Sequence, residues 1–193
     1  MEKKSFVSRL VGEWNTMSIV GIAIGAALFG VLMRFASIPV ATNTYLTTAM
    51  LATVVVGGLF GPIPAMIAAG IGNVIADLLF GGGFWFDWSI GNAILGFFIG
   101  ALPLYGANIK DGIFNTKHMI IYVVFVVIGN LVAFELITPI LTYYFYSSEL
   151  TITFAQTIAS SIANVIVLTV AGIPILKALA SRYARGTNLT KED

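Results

Sequence analysis

Between Met17 and Ala180 the chain is a succession of apolar stretches, each close to the roughly 20 residues that a helix needs to cross a hydrocarbon core, separated by short polar or glycine-rich connections. Read in order, the spans are Met17–Ala36, Tyr45–Phe60, Ala65–Phe80, Ser89–Tyr105, Met119–Leu141 and Phe154–Ala180. A chain of 193 residues is exhausted by six such spans. Only 10% of residues are charged, whereas a soluble domain has about a quarter. The pattern therefore predicts an all-α integral membrane protein, a six-helix transmembrane bundle over residues 17–180. An amphipathic interfacial segment precedes it (1–16) and a hydrophilic tail follows (181–193).

In the first segment Lys3, Lys4 and Arg9 alternate at helical spacing with Phe6, Val7, Leu10, Val11 and Trp14, which suits a helix lying in the membrane interface. A signal peptide is the competing reading, but the apolar run Met17–Met33 is too long for its core and no cleavage site follows it. Lys and Arg positions orient the bundle. Lys3, Lys4, Arg9, Lys110, Lys117, Lys177, Arg182, Arg185 and Lys191 fall on one side of the spans and only Arg34 on the other. An excess of positive charge marks the cytoplasmic face, so both termini are expected there and the loops 37–44, 81–88 and 142–153 outside.

Against this background the polar residues inside the spans stand out, because buried polar and ionisable groups in a membrane are costly and so mark functional sites. Ala65, Ala69, Asn73 and Asp77 form one stripe of the third span, running from small to polar toward the loop Gly81–Trp88. Trp88, Asn92, Gly96 and Gly100 share a face of the fourth span, Asn130 and Glu135 lie in the fifth, and Gln156, Ser160 and Asn164 form a stripe in the last. All gather toward one side of the membrane, which predicts a shared outward-facing cavity. Its lid is the loop GGGFWFDW, with three glycines for backbone freedom and Trp85, Phe86 and Trp88 for flat apolar faces, beside Asp87. Structural pairing of Asp77 and Glu135 with neighbouring amides, and interfacial placement of the aromatics, remain open alternatives.

Catalysis finds little support. The single His118 lies far from the polar cavity, cysteine is absent, no metal-ligand cluster is evident, and GGGF lacks the Lys and Ser/Thr of a phosphate-binding loop. No cofactor is expected. Nor is nucleic acid a partner, since no large basic cluster exists. The other function class in play is a self-sufficient ion-coupled carrier or channel using Asp77 and Glu135. A lipid-directed membrane enzyme lacks a nucleophile–base pair.

Six spans with cytoplasmic ends, Ala23-xxx-Ala27 in the first span, the turn Phe60-Gly61-Pro62, and Asp77 followed by FGGG and the aromatic run to Trp88 together resemble the substrate-binding S-components of energy-coupling factor (ECF) vitamin transporters, most closely the riboflavin-transporter-like group. The resemblance implies a bacterial plasma-membrane protein that binds a vitamin or precursor from outside, such as riboflavin, cobalamin, pyridoxine or hydroxymethylpyrimidine. It then topples and docks on a transmembrane coupling subunit (EcfT) driven by two ATPase subunits. It further implies that Ala23 and Ala27 face the coupling subunit. Ligand contacts are implied at Asn43 and Tyr45, along Trp85–Asn92, at Glu135, and from Gln156 to Asn164, with Asn73 and Asp77 on the adjoining wall.

Overall fold

The computed structural model describes residues 5–12, 14–41, 44–81 and 83–189. Asn43, Gly82, Lys3, Lys4 and Lys191, all invoked above, lie outside them. A short helix α1 (Phe6–Val11) precedes α2 (Thr16–Phe35), a two-stranded hairpin of β1 (Ser37–Ala41) and β2 (Thr44–Thr47), and the helices α3 (Met50–Phe60) and α4 (Pro62–Phe80). Next come α5 (Phe86–Gly100), a 3₁₀ turn (Leu102–Tyr105), α6 (Thr116–Asn130), α7 (Thr138–Tyr146), α8 (Leu150–Val167) and α9 (Ile173–Leu189). A π-helical segment, Leu131–Ile137, joins α6 to α7, and a second, Leu168–Gly172, joins α8 to α9. The continuous rods Thr116–Tyr146 and Leu150–Arg185, together with Phe6–Phe35, Pro62–Phe80 and Phe86–Tyr105, are long and apolar enough to cross a membrane. Exposed Ile24, Leu28, Leu78, Val124, Leu136, Ile158 and Ile166 face outward, while Phe29, Met50, Leu95, Ile99, Tyr122, Phe134, Leu168 and Leu176 form the interior.

Local chemistry sets most of these ends. Asn15 caps α2, its Oδ1 accepting from the Ser18 amide at 2.9 Å while Ser18 Oγ accepts from the Asn15 amide at 2.8 Å. Asn115 and His118 make the same reciprocal cap on α6, which gives the only histidine a structural role. Gly61, at φ +99°, turns α3 directly into α4. A side chain there would meet Gly12 Cα at 3.1 Å, so two glycines let the α1–α2 corner press against the α3–α4 turn. Close approach continues along α4 and α5, where a Cβ on Gly96 would stand 2.7 Å from Ala65 O. The stripes Ala65–Asp77 and Trp88–Gly100 therefore meet face to face.

Two span boundaries expected from the sequence need correction. The second span does not begin at Tyr45. The stretch 37–47 is rich in β-branched and aromatic side chains, and Ser37–Ala41 pairs antiparallel with Thr44–Thr47, Ile38 with Leu46 and Pro39 with Tyr45, so the helix starts only at Met50. At 11 residues α3 is about 16 Å long, roughly half a hydrocarbon core. The fifth span does not end at Leu141, and Pro139 does not break it. The helix absorbs it through the π segment just before it, where the Thr138 amide bonds Ala133 O, five residues back, and then runs on to Tyr146. The external loop expected over 142–153 thus shrinks to Ser147–Glu149. Pro174 is preceded by the second π segment in the same manner. Among the described residues of the first segment Phe6–Val11 form α1, and the described part of the hydrophilic tail continues α9 through Leu189.

Candidate functional site

The ends of α4, α5, α7 and α8 and strand β2 surround a cavity of about 570 Å³. Three helices supply it with two rungs of side chains one turn apart. The rung nearer the 81–85 segment consists of Asp77 on α4, Trp88 on α5 and Ser160 on α8, with Gln156 one turn above Ser160. The deeper rung consists of Asn73, Asn92 and Asn164. Four-residue spacing on each helix places both members of a pair on the same face, and the antiparallel course of α4 and α5 brings the rungs level. Tyr45 and Thr47 from β2, Met33, Met50, Phe80 and Phe134 close the apolar sides, while Ser148, Glu149 and Thr153 line the rim at the start of α8.

The deep rung is internally bonded. Asn92 Nδ2 donates to Asn73 Oδ1 (2.9 Å) and to Trp88 O (3.0 Å), and Asn73 Nδ2 donates to Ser89 Oγ (3.1 Å) and Asp77 Oδ2 (3.4 Å). Across the cavity Asn164 Nδ2 donates to Asn130 Oδ1 (3.2 Å), and Asn130 Nδ2 to Val126 O (2.8 Å). Asp77 also takes the Trp85 amide on Oδ2 at 3.0 Å, so one carboxylate ties the deep amides to the covering segment.

That segment is shorter than GGGFWFDW suggested, because Phe86, Asp87 and Trp88 already belong to α5. It is held from above by Tyr146, whose hydroxyl donates to Phe84 O (3.0 Å), accepts from the Phe86 amide (3.0 Å), and whose ring lies 4.8 Å from that of Trp85. The first amides of a helix have no partner within it. Here Asp77 and Tyr146 supply partners, so the start of α5 and the cover are fastened together. Trp85 lines the cavity beneath this clamp.

Two of the acidic residues singled out from sequence do not line the cavity. Asp87, in the first turn of α5, is fully buried against α7 and accepts from Thr142 Oγ1. Glu135 in the π segment accepts from Ser161 Oγ (2.8 Å) and Thr157 Oγ1 (3.3 Å), so it fastens α8 to the rod before it. Tyr146 and Glu149, both placed at the site, lie in the stretch 142–153, which the sequence marks only as an external loop. Tyr45, Asn73, Asp77, Trp85, Trp88, Asn92, Gln156, Ser160 and Asn164 are brought together. No group of three or more His, Cys, Asp or Glu suited to a metal occurs among the described residues. On α2, Ala23 and Ala27 face outward, opposite Gly25, Ala26 and Phe29.

The family model for the ECF-type riboflavin transporter, S component matches residues 13–181. A UPF0397 protein of Aliivibrio fischeri (strain MJ11) is 36% identical over 180 residues, covering 92% of this chain and 97% of its own. A UPF0397 protein of Staphylococcus aureus (strain JH9) is 31% identical over 179 residues, with 92% and 97% covered. Among solved structures, FolT bound with folic acid superposes at a TM-score of 0.61 with 20% identity, over 87% of this chain and 96% of that one, a likeness of fold. By its sequence over nearly its whole length, this chain belongs to the family of ECF-type riboflavin transporter S components.

Proposed function

We propose that the protein captures a small water-soluble vitamin or vitamin precursor in this cavity from outside the cell and hands it to a transmembrane coupling subunit, and through that subunit to two ATPases, for uptake. The observation that carries this reading is the cavity itself. Its volume of about 570 Å³ lies within the range of small-molecule sites, its walls are apolar, and its polar groups converge on two levels. The size favours single-ring or fused-ring compounds such as pyridoxine, hydroxymethylpyrimidine or riboflavin over cobalamin, whose macrocycle exceeds it. Folic acid, the molecule bound to FolT, does not suit this cavity, because a dianion would meet Asp77 and Glu149 and no Lys or Arg among the described lining residues.

Orientation rests on charge. With nine of ten Lys and Arg on one side, the termini are cytoplasmic and the cavity opens outward beneath the 83–85 segment. The outward faces of Ala23 and Ala27, small residues that let another helix approach closely, form the docking surface for the coupling subunit. The ion-coupled carrier reading is disfavoured because Glu135 takes its hydrogen bonds from α8 and does not share the cavity of Asp77.

The test is reconstitution. The purified protein is expected to retain a small molecule, to hydrolyse no ATP, and to move that molecule into liposomes only when coupling and ATPase subunits are added. Ala23→Trp or Ala27→Trp should abolish uptake while leaving binding intact. Transport by the protein alone would refute the proposal.

A further inference from the structure

The amides of the deep rung have an orientation that can be read from their partners. A backbone carbonyl only accepts, so the Asn92 atom 3.0 Å from Trp88 O is the amino nitrogen. That assignment propagates, because Asn73 must turn its Oδ1 toward Asn92 and its Nδ2 toward Ser89 and Asp77. On the opposite wall Val126 O fixes Asn130 in the same way, and Asn130 Oδ1 then requires the amino group of Asn164. Two hydrogen-bonded networks, each oriented by a helix carbonyl, therefore leave Asn92 Oδ1 and Asn164 Oδ1 as acceptors they do not use. Neither oxygen takes a hydrogen bond among the described residues. The side chains are only 4% and 8% exposed and line the cavity, so a donor for either oxygen must come from inside it.

Around this pair the charge of the lining is one-sided, with Arg34 outside it, its guanidinium stacked 4.8 Å from the ring of Phe80. Asp77 and Glu149 add carboxylate oxygens, Trp85 and Trp88 add flat faces, and no Lys, Arg or His lines the cavity among the described residues. An anionic ligand would lose its hydration without gaining a cation, whereas a ring bearing N–H or O–H groups would satisfy acceptors that are otherwise costly to bury.

Building on the capture function proposed above, we infer that the site selects an uncharged or cationic heteroaromatic ring with at least two hydrogen-bond donors, of the amino- or hydroxymethyl-substituted pyrimidine or pyridine kind. One donor meets Asn92 Oδ1, the other Asn164 Oδ1, and phosphate esters and carboxylic acids are rejected.

The experiment is native mass spectrometry and equilibrium dialysis on the full chain in nanodiscs. The molecule that copurifies is identified, then a panel of pyridoxine, 4-amino-5-hydroxymethyl-2-methylpyrimidine, riboflavin, their phosphate esters and folic acid is titrated. The expected result is a bound molecule with no phosphate or carboxylate and two or more donors, whose phosphate ester binds at least about 100-fold more weakly. Asn92→Leu and Asn164→Leu should each weaken binding about tenfold. Thermal melting of each variant separates lost contacts from lost fold. A copurified or panel anion bound as tightly as the uncharged ring, or unchanged binding in both Leu variants, would overturn the inference and leave the capture function standing. No bound molecule of any kind, from cells or panel, would overturn both.

Discussion

Removing one oxygen atom, in Tyr146→Phe, isolates the clamp over the cavity. The ring stays beside Trp85, 4.8 Å away, but the hydroxyl loses its bonds to Phe84 O and the Phe86 amide. A neutral hydrogen bond contributes about 0.5–1.5 kcal/mol net. Both groups border solvent and can be rehydrated, so the pair is worth about 1–2 kcal/mol, or about 5–30-fold in the opening equilibrium of the 83–86 segment. Hydrogen–deuterium exchange on the purified protein reads this directly. The Phe86 amide is expected to exchange about 5–30-fold faster, while the Trp85 amide, held by Asp77 Oδ2 at 3.0 Å, changes less. The copurified ligand should leave faster by a similar factor, with the melting temperature lowered by only a few degrees. Unchanged exchange at Phe86, or acceleration spread evenly through α5 and α7, would refute the idea of a local clamp.

Two further substitutions probe the bundle. Gly96→Val puts a side chain 2.7 Å from Ala65 O and 2.9 Å from Ala69 Cβ, so α4 and α5 must separate, at a cost of about 1–3 kcal/mol. The melting temperature should drop by several degrees and ligand affinity fall with it, and a variant as stable as the parent would disprove the close approach. Glu135→Gln keeps an acceptor for Thr157 or Ser161, so ligand binding and reconstituted uptake are expected within about threefold of the parent. Abolished transport with intact binding would instead restore Glu135 as a proton relay.

The helical part of the site was legible because period and chemistry agree. Asn73 with Asp77, Trp88 with Asn92, and Gln156 with Ser160 and Asn164 repeat at four residues, and each series faces the cavity. Asp87 was misread through a boundary. With helix α5 beginning at Phe86, its side chain turns toward Thr142 and away from the covering segment. Glu135 was misread through register, since a π turn rotates it relative to an α-helical count, and no polar periodicity signals that shift. The hairpin was hidden because 37–44 reads as a loop and Tyr45–Thr47 as the start of the next span, and only the β-branched and aromatic content of the stretch points to strands. Tyr146 escaped notice among three other aromatics, since nothing local distinguishes a residue that bonds a backbone 60 positions away.

The two π segments also act as phase shifters. Each accommodates one residue more than an α-helix would over the same turn, and each stands just ahead of a proline, Pro139 or Pro174. Deleting a single residue between Leu131 and Ile137 would let the hydrogen-bond ladder close in α register and leave everything beyond it in phase, whereas deleting one from an α-helical turn of α6 would rotate everything beyond it by about 100°. Only the second deletion would swing Thr142 off Asp87 and Tyr146 off the 84–86 backbone. The π turn is thus a one-residue reserve of length between α6 and the clamp on α7, a place where the chain can be shortened without turning the clamp away from the segment it holds.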